Sequence, residues 1–205
     1  HLLCTIENKE LQDIYVDDTG IYVSGEYVVY DIDFEGNIRN QIDLPDLGAS
    51  ISQYSLAIKK KYIAVCCFYH VEQREGWENV IYVIDRNTNE ITTYDYKKFK
   101  DGDTLEKILP TSKETEFILV GNYQVYTFDA SNGKYDLLYD GVNAFEIDYS
   151  PKENRLYYIH DILSSMSSLE LGSITLPEGE KNIARILELE YLYPKIKAEV
   201  EENGG

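Results

Sequence analysis

Apolar and polar positions alternate along most of this chain, and turn residues interrupt the alternation at regular intervals. One phrase recurs three times: Val29-Tyr30-Asp31-Ile32-Asp33, Ile81-Tyr82-Val83-Ile84-Asp85 and Val125-Tyr126-Thr127-Phe128-Asp129. Each copy is a strand that ends in an aspartate, enters a short polar turn holding Gly36, Asn89 or Gly133, and resumes as a second strand. The closing aspartates stand 52 and 44 residues apart, the period of one four-stranded sheet repeated around an axis.

Two further strands precede each phrase. Immediately before it come near-continuous apolar runs, Ile21 to Val23, Tyr62 to Val65, Phe117 to Val120 and, in a fourth copy, Leu156 to Ile159. Such runs fit strands covered on both faces by neighbouring sheets. Ahead of them lie Asp13 to Val16, Ser55 to Ile58, Lys107 to Leu109 and Phe145 to Tyr149, each followed by a polar turn. The fourth copy is atypical: Gly172 to Leu176 holds the phrase position without an aspartate, and Ile183 to Leu189 is its expected outer strand. The expected architecture is all-β, a β-propeller of about four four-stranded blades at 11–44, 53–96, 105–140 and 145–189. Residues 1–7, with Leu2 to Ile6 as a lone strand, read as the outer strand of a preceding blade, and 191–205 as a C-terminal helix or tail. That imbalance favours a segment of a larger propeller over a closed ring. An open fan of this kind is expected to expose two apolar faces and to need a partner.

Val80 to Tyr94, reading Val-Ile-Tyr-Val-Ile-Asp-Arg-Asn-Thr-Asn-Glu-Ile-Thr-Thr-Tyr, resembles the YVTN/PQQ-type, WD40-like propeller repeats, and Tyr62 to Val65 stands where that family places its own apolar strand. The resemblance extends over residues 11 to 189. It departs from true WD40 repeats, since there is no Gly-His or Trp-Asp pair and the sole tryptophan, Trp77, is followed by Glu78. It implies a fold and carries over no catalytic residue.

Composition agrees with strands: 205 residues are 43% hydrophobic, with 19 tyrosines. The formal charge of −18 repels nucleic-acid phosphates and anionic lipid, so neither is an expected partner, and no apolar stretch reaches the length that spans a bilayer as a helix. The one dense basic run, Lys59-Lys60-Lys61, reads as a solvated turn. Cys4, Cys66 and Cys67 make a poor disulfide framework and read as reduced apolar side chains; this leans toward the cytoplasm without fixing a compartment.

No short catalytic motif is present, and three histidines are too few for a histidine-rich metal site. Asp31-x-Asp33-x-Glu35-Gly36 has the opening of a calcium loop, yet Ile42 stands where the bidentate glutamate belongs; the aspartates are expected to cap turns instead. No cofactor and no metal is expected. Candidate partner-binding residues come from the two longest linkers on the blade-connection side. Phe68 to Asn79 carries His70, Glu72, Arg74, Trp77 and Glu78, and the Asp161 to Glu170 linker, entered from His160, carries Asp161 and Met166. The reading is a noncatalytic protein-protein interaction scaffold whose partner is another protein or remaining blades on another chain. The alternative is a propeller enzyme with a carboxylate/histidine or divalent-metal site in the central channel.

Overall fold

The computed structural model describes residues 4–6, 10–70, 77–96, 104–122, 124–140, 144–161 and 169–176, and every regular element among them is a β-strand. Strands β1 (Leu11–Val16), β2 (Ile21–Gly25), β3 (Val28–Ile32) and β4 (Ile38–Asp43) form the first sheet. The second holds β5 (Ser50–Ile58), β6 (Tyr62–His70), β7 (Trp77–Asp85) and β8 (Ile91–Tyr96). The third holds β9 (Leu105–Pro110), β10 (Glu116–Gly121), β11 (Gln124–Asp129) and β12 (Lys134–Asp140), and the fourth β13 (Ala144–Ser150), β14 (Arg155–Asp161) and β15 (Leu169–Thr175). Each sheet is an antiparallel meander in chain order. The leading strands touch in series, β1 against β5, β5 against β9 and β9 against β13, so the sheets fan about a common axis as propeller blades. The apolar runs read from the sequence are the second strands β2, β6, β10 and β14.

The aspartate turns are built as their sequence predicts. Asp33 Oδ1 accepts from the Glu35 and Asn37 amides at 3.0 and 2.7 Å, Asp85 Oδ1 from Asn87 at 2.8 Å and Asp129 Oδ1 from Ser131 at 2.9 Å. Hydrogen bonds from the Asn37 side chain and amide hold the Asp33 carboxyl below its ordinary pKa. Asp31 instead pairs with Arg39, so the calcium-like spacing is spent on a turn and an ion pair. Gly36, Asn89 and Gly133 all sit at positive φ (90°, 59° and 75°), which closes each turn. At Gly133 the constraint is doubled: a Cβ would collide with the Tyr94 ring of the neighbouring sheet, whose Tyr96 hydroxyl donates to the Gly133 carbonyl.

Alternation within each sheet sends one set of side chains to the preceding sheet and the other to the next. Leu56, Ile63, Val65 and Tyr82 of the second sheet pack on Tyr22 and Val29 of the first, with Ile42 and Leu44. Ala64, Cys66, Ile81 and Val83 meet Ile108, Phe117 and Leu119 of the third. Ile118, Val120 and Val125 meet Ile147, Tyr149 and Leu156 of the fourth. Polar hooks cross the same interfaces near the axis. Asp13 Oδ2 accepts from the Leu56 amide at 2.8 Å and from the Ser55 hydroxyl at 3.1 Å, and Ser55 Oγ accepts in turn from the Ile108 amide at 3.3 Å. All three cysteines are free, and burial pushes the Cys66 and Cys67 thiols away from the reactive thiolate.

The structure corrects one expectation. Residues 4–6 form no strand; Cys4 and Ile6 lie against Val23, Val28, Tyr30 and Ile32 on the outer face of the first sheet. The fourth sheet has three strands among the described residues, and Ile183 to Leu189 and 191–205 fall outside them. Among the positions whose side chains are described, Ile147, Tyr149, Leu156 and Tyr158 turn toward the third sheet, and Asp148, Arg155, Tyr157, Ser173 and Thr175 alternate with them on the far face.

Two substitutions test this construction by chemical denaturation. Asp13→Ala strands the Leu56 amide between sheets and is expected to cost about 1–3 kcal/mol. Gly133→Ala places a Cβ at positive φ against Tyr94 and is expected to cost about 1–3 kcal/mol. A change near zero for either removes that contact from the account of the fold.

Candidate functional site

Strands β6 and β7 are nine residues each, longer than the strands they face in the third sheet. Their pairing runs unbroken from Tyr62↔Asp85 to His70↔Trp77. The sequence pattern suggests a linker from Phe68 to Asn79; aromatic and apolar side chains on both arms instead keep the ladder going, which leaves 71–76 as the connection. Glu72 and Arg74 lie there, outside the described residues. The other linker contracts similarly. His160 and Asp161 end β14, with His160 paired to Ala144 and Glu170, β15 starts at Leu169, and Met166 lies outside the described residues. Both strand ends open on the side that also carries the connections between sheets.

On the face that meets the third sheet, Asn79 marks the last buried level, and its Oδ1 accepts from the Leu105 amide at 2.7 Å. Beyond it the same face carries Phe68, His70 and Trp77. The Trp77 ring stands edge-on to Phe68 (centroids 5.2 Å, 80°) and to His70 (5.3 Å, 70°), and the residue remains 44% exposed. Trp77 thus folds onto its own blade and still presents ring surface to solvent. On the reverse face the Tyr69 hydroxyl donates to Glu78 Oε2 at 2.9 Å. Burial, then the Glu78 carboxylate, pushes that phenol well above its ordinary pKa, so the bond keeps its proton. The structure brings His70, Trp77 and Glu78 to one hairpin end. It adds Phe68, which is absent from the candidates read from the sequence although the period-2 spacing of 68, 70, 77 and 79 carries that signal.

A second feature lies on the axis at the opposite end of the strands. A cavity of about 660 Å³ is bounded by Asp13, Tyr15, Lys59, Lys60, Glu114 and Asp148 among others. Three of its carboxylates are tied to main chain: Asp13 and Asp148 accept from the Leu56 and Tyr149 amides, and Glu114 accepts from the Lys61 amide at 3.1 Å. No described histidine lines it, and no group of three metal-ligating side chains occurs among the described residues. Lys59, which the sequence alone suggests to be part of a solvated turn, is buried at 8% exposure. Its Nζ donates to the Thr111 carbonyl at 2.7 Å and to the Lys113 carbonyl, and lies 5.0 Å from the Phe117 ring centre. The lysine is therefore a strap between the second and third sheets. Burial pulls its ammonium down to about 8, against the pull of Glu114 and Glu116.

No protein-family model matches this chain, and no curated protein does. Solved structures do. The Neurospora crassa Pan2 WD40 domain is 16% identical with a TM-score of 0.52, covering 80% of this chain and 48% of its own. KlAtg21 in complex with the coiled coil of AgAtg16 is 12% identical at 0.50, covering 75% and 50%. An oligogalacturonate lyase in complex with manganese is 14% identical at 0.51, covering 82% and 49%. The chain spans about half the length of these structures. At such identities the likeness is one of fold: this is a propeller-repeat protein, and its neighbours include a WD40 domain, a protein in complex with a coiled coil and an enzyme.

The Lys59 strap has a pH signature. Unfolded, the amine keeps its proton up to the ordinary 10.5, whereas folded it releases it near 8. Between those values the unfolded chain binds more protons, so the contribution of Lys59 to stability rises with pH. Urea midpoints from about pH 7.5 to 9.5, below tyrosine ionisation, are expected to rise for the wild type relative to Lys59→Met. Parallel curves contradict the buried-charge assignment.

Proposed function

We propose that this chain is a noncatalytic interaction module that holds a protein partner at the end of the β6–β7 hairpin. The connection after β14 would serve as a second contact. The observation that supports this most directly is the aromatic group Phe68, His70 and Trp77: a large, half-exposed surface fixed on a rigid ladder at a blade end. A tryptophan held edge-on by two neighbours loses little entropy when a partner covers it. Arg74 and Glu72, in the connection between the same two strands, would supply the polar rim, and His160, Asp161 and Met166 the second contact. The similar structure in complex with a coiled coil supports such a role for the architecture.

The enzyme reading has weaker support. The axial cavity is large enough for a small molecule, but its carboxylates and its buried lysine already hold main-chain groups, and His70 stands at the far end of the hairpin from it.

Affinity capture with the wild type, Trp77→Ala and Arg74→Ala, each first checked for unchanged melting temperature, tests the interaction surface. Loss of Trp77 is expected to lower recovery of the specific partner by at least tenfold, corresponding to about 2 kcal/mol for a central aromatic anchor. Equal recovery from all three proteins removes the hairpin end as the binding surface.

A further inference from the structure

The third aspartate turn contains a pair of residues that the other two lack. Asparagine followed by glycine is the dipeptide in which the next main-chain nitrogen reaches the side-chain carbonyl most readily, because glycine has no Cβ in the way. The chain has this pair at Asn132-Gly133 and at Asn203-Gly204, and the first lies in the turn between β11 and β12. In the first turn Gly36 follows Glu35, and in the second Asn89 precedes Glu90.

Attack needs two freedoms, and the folded turn removes both. The Gly133 nitrogen must give up its hydrogen bond, yet it donates to the Asp129 carbonyl at 2.8 Å. The Asn132 side chain must swing over that nitrogen, yet it is tied at each end. Its Nδ2 donates to Asp129 Oδ2 at 2.8 Å, and its Oδ1 accepts from the Lys134 amide at 2.8 Å. Asn132 is exposed to water, so hydrogen bonding rather than burial holds the pair unreactive. Asp129 is the centre of this clamp, since its other oxygen takes the Ser131 amide and hydroxyl at 2.9 and 2.7 Å.

Release of the clamp leads to a product that the fold does not accommodate. The Gly133 nitrogen bonds to Asn132 Cγ, the Cγ–Nδ2 bond breaks, and the amide group leaves as ammonia with the proton of the Gly133 N–H. Water then opens the cyclic imide. Where it attacks the main-chain carbonyl carbon of Asn132, the bond from that carbon to nitrogen breaks. The chain then continues through the side-chain carbon as isoaspartate, one methylene longer and with a free carboxylate beside that of Asp129. This insertion falls directly before Gly133, where the Tyr94 ring leaves no room even for a Cβ. At the same place the Tyr96 hydroxyl donates to the Gly133 carbonyl, and the Tyr94 hydroxyl to the Ala130 carbonyl at 3.4 Å.

We propose that Asn132 is a modification site gated by the Asp129 clamp. Closed, the turn keeps its asparagine; opened, it converts to isoaspartate, and the longer turn no longer seats against Tyr94 and Tyr96 of the second sheet. Opening of this rim thereby becomes irreversible. The site is internal to the second and third sheets and involves neither the hairpin surface nor either end of the chain.

The test compares the folded chain with a synthetic peptide of residues 127–137, both held at about pH 8. Conversion is read by chromatographic separation and mass, in the folded chain on the tryptic peptide 114–134 that contains Asn132. The synthetic peptide gives the rate of an unclamped pair. Conversion in the folded chain is expected to be about tenfold slower or more, and Asp129→Ala is expected to recover most of that difference. Tyr96→Phe, which removes a hydrogen bond that seats the turn, is expected to raise the rate as well and replaces Asp129→Ala if that variant misfolds. The isolated isoaspartyl chain is expected to show faster amide exchange in β8 and β12 than Asn132→Asp, which carries the same charge without the extra methylene. Equal rates in folded chain and peptide, a rate unmoved by the clamp variants, or an isoaspartyl chain that exchanges like Asn132→Asp each overturn the proposal.

Discussion

The second and third sheets of this protein each have two apolar faces, and no helix among the described residues covers them, so each is held between two other sheets. That constraint organises the molecule. The second strands β6 and β10 carry Ile63 to Cys67 and Phe117 to Val120, which alternate between two different neighbours and are buried on both sides. Burial of each Val, Leu, Ile or Phe among them contributes about 1.5–3 kcal/mol, against about 0.5–1.5 kcal/mol for an ordinary neutral hydrogen bond. Stability is therefore distributed along the fan as a series of nearest-neighbour interfaces, and whichever face lacks a neighbour carries the cost.

Polar groups adjust this packing without replacing it. Near the axis, Asp13 and Ser55 tie inner strands together through main-chain amides. At the turn end, Lys59 reaches from the second sheet to carbonyls of the third, while Arg86 donates to the Lys59 carbonyl at 2.8 Å and to Thr19 at 2.9 Å and lies over the Tyr22 ring. These straps satisfy groups that close sheet contact would otherwise leave buried and unpaired. They concentrate at one end of the strands. The opposite end, where β6 and β7 outrun the third sheet, is where an aromatic group stands in solvent.

Most of the architecture is legible in the sequence because it rests on local periodicity. The Asp33, Asp85 and Asp129 turns, with positive φ at Gly36, Asn89 and Gly133, follow from turn chemistry within a few residues, and the apolar second strands follow from their composition. What escapes depends on neighbours distant in sequence. Three consecutive lysines look solvated; that Lys59 is buried follows from the Thr111 and Lys113 carbonyls some fifty residues away. The hairpin end reads too short from either arm alone, since pairing of Phe68 with Asn79 and His70 with Trp77 requires both arms to be read together.

Amide hydrogen exchange resolved by residue tests the stacking constraint directly. Sheets covered on both faces are expected to open only with the whole molecule, so amides in β6 and β10 should exchange slowest and at a common rate, with those of β1 markedly faster beneath the uncovered Ile14 and Val16. Protection in β1 equal to that in β6 and β10, or fast exchange in β6 and β10 themselves, would contradict an account in which the second and third sheets are held by the neighbours on their two sides.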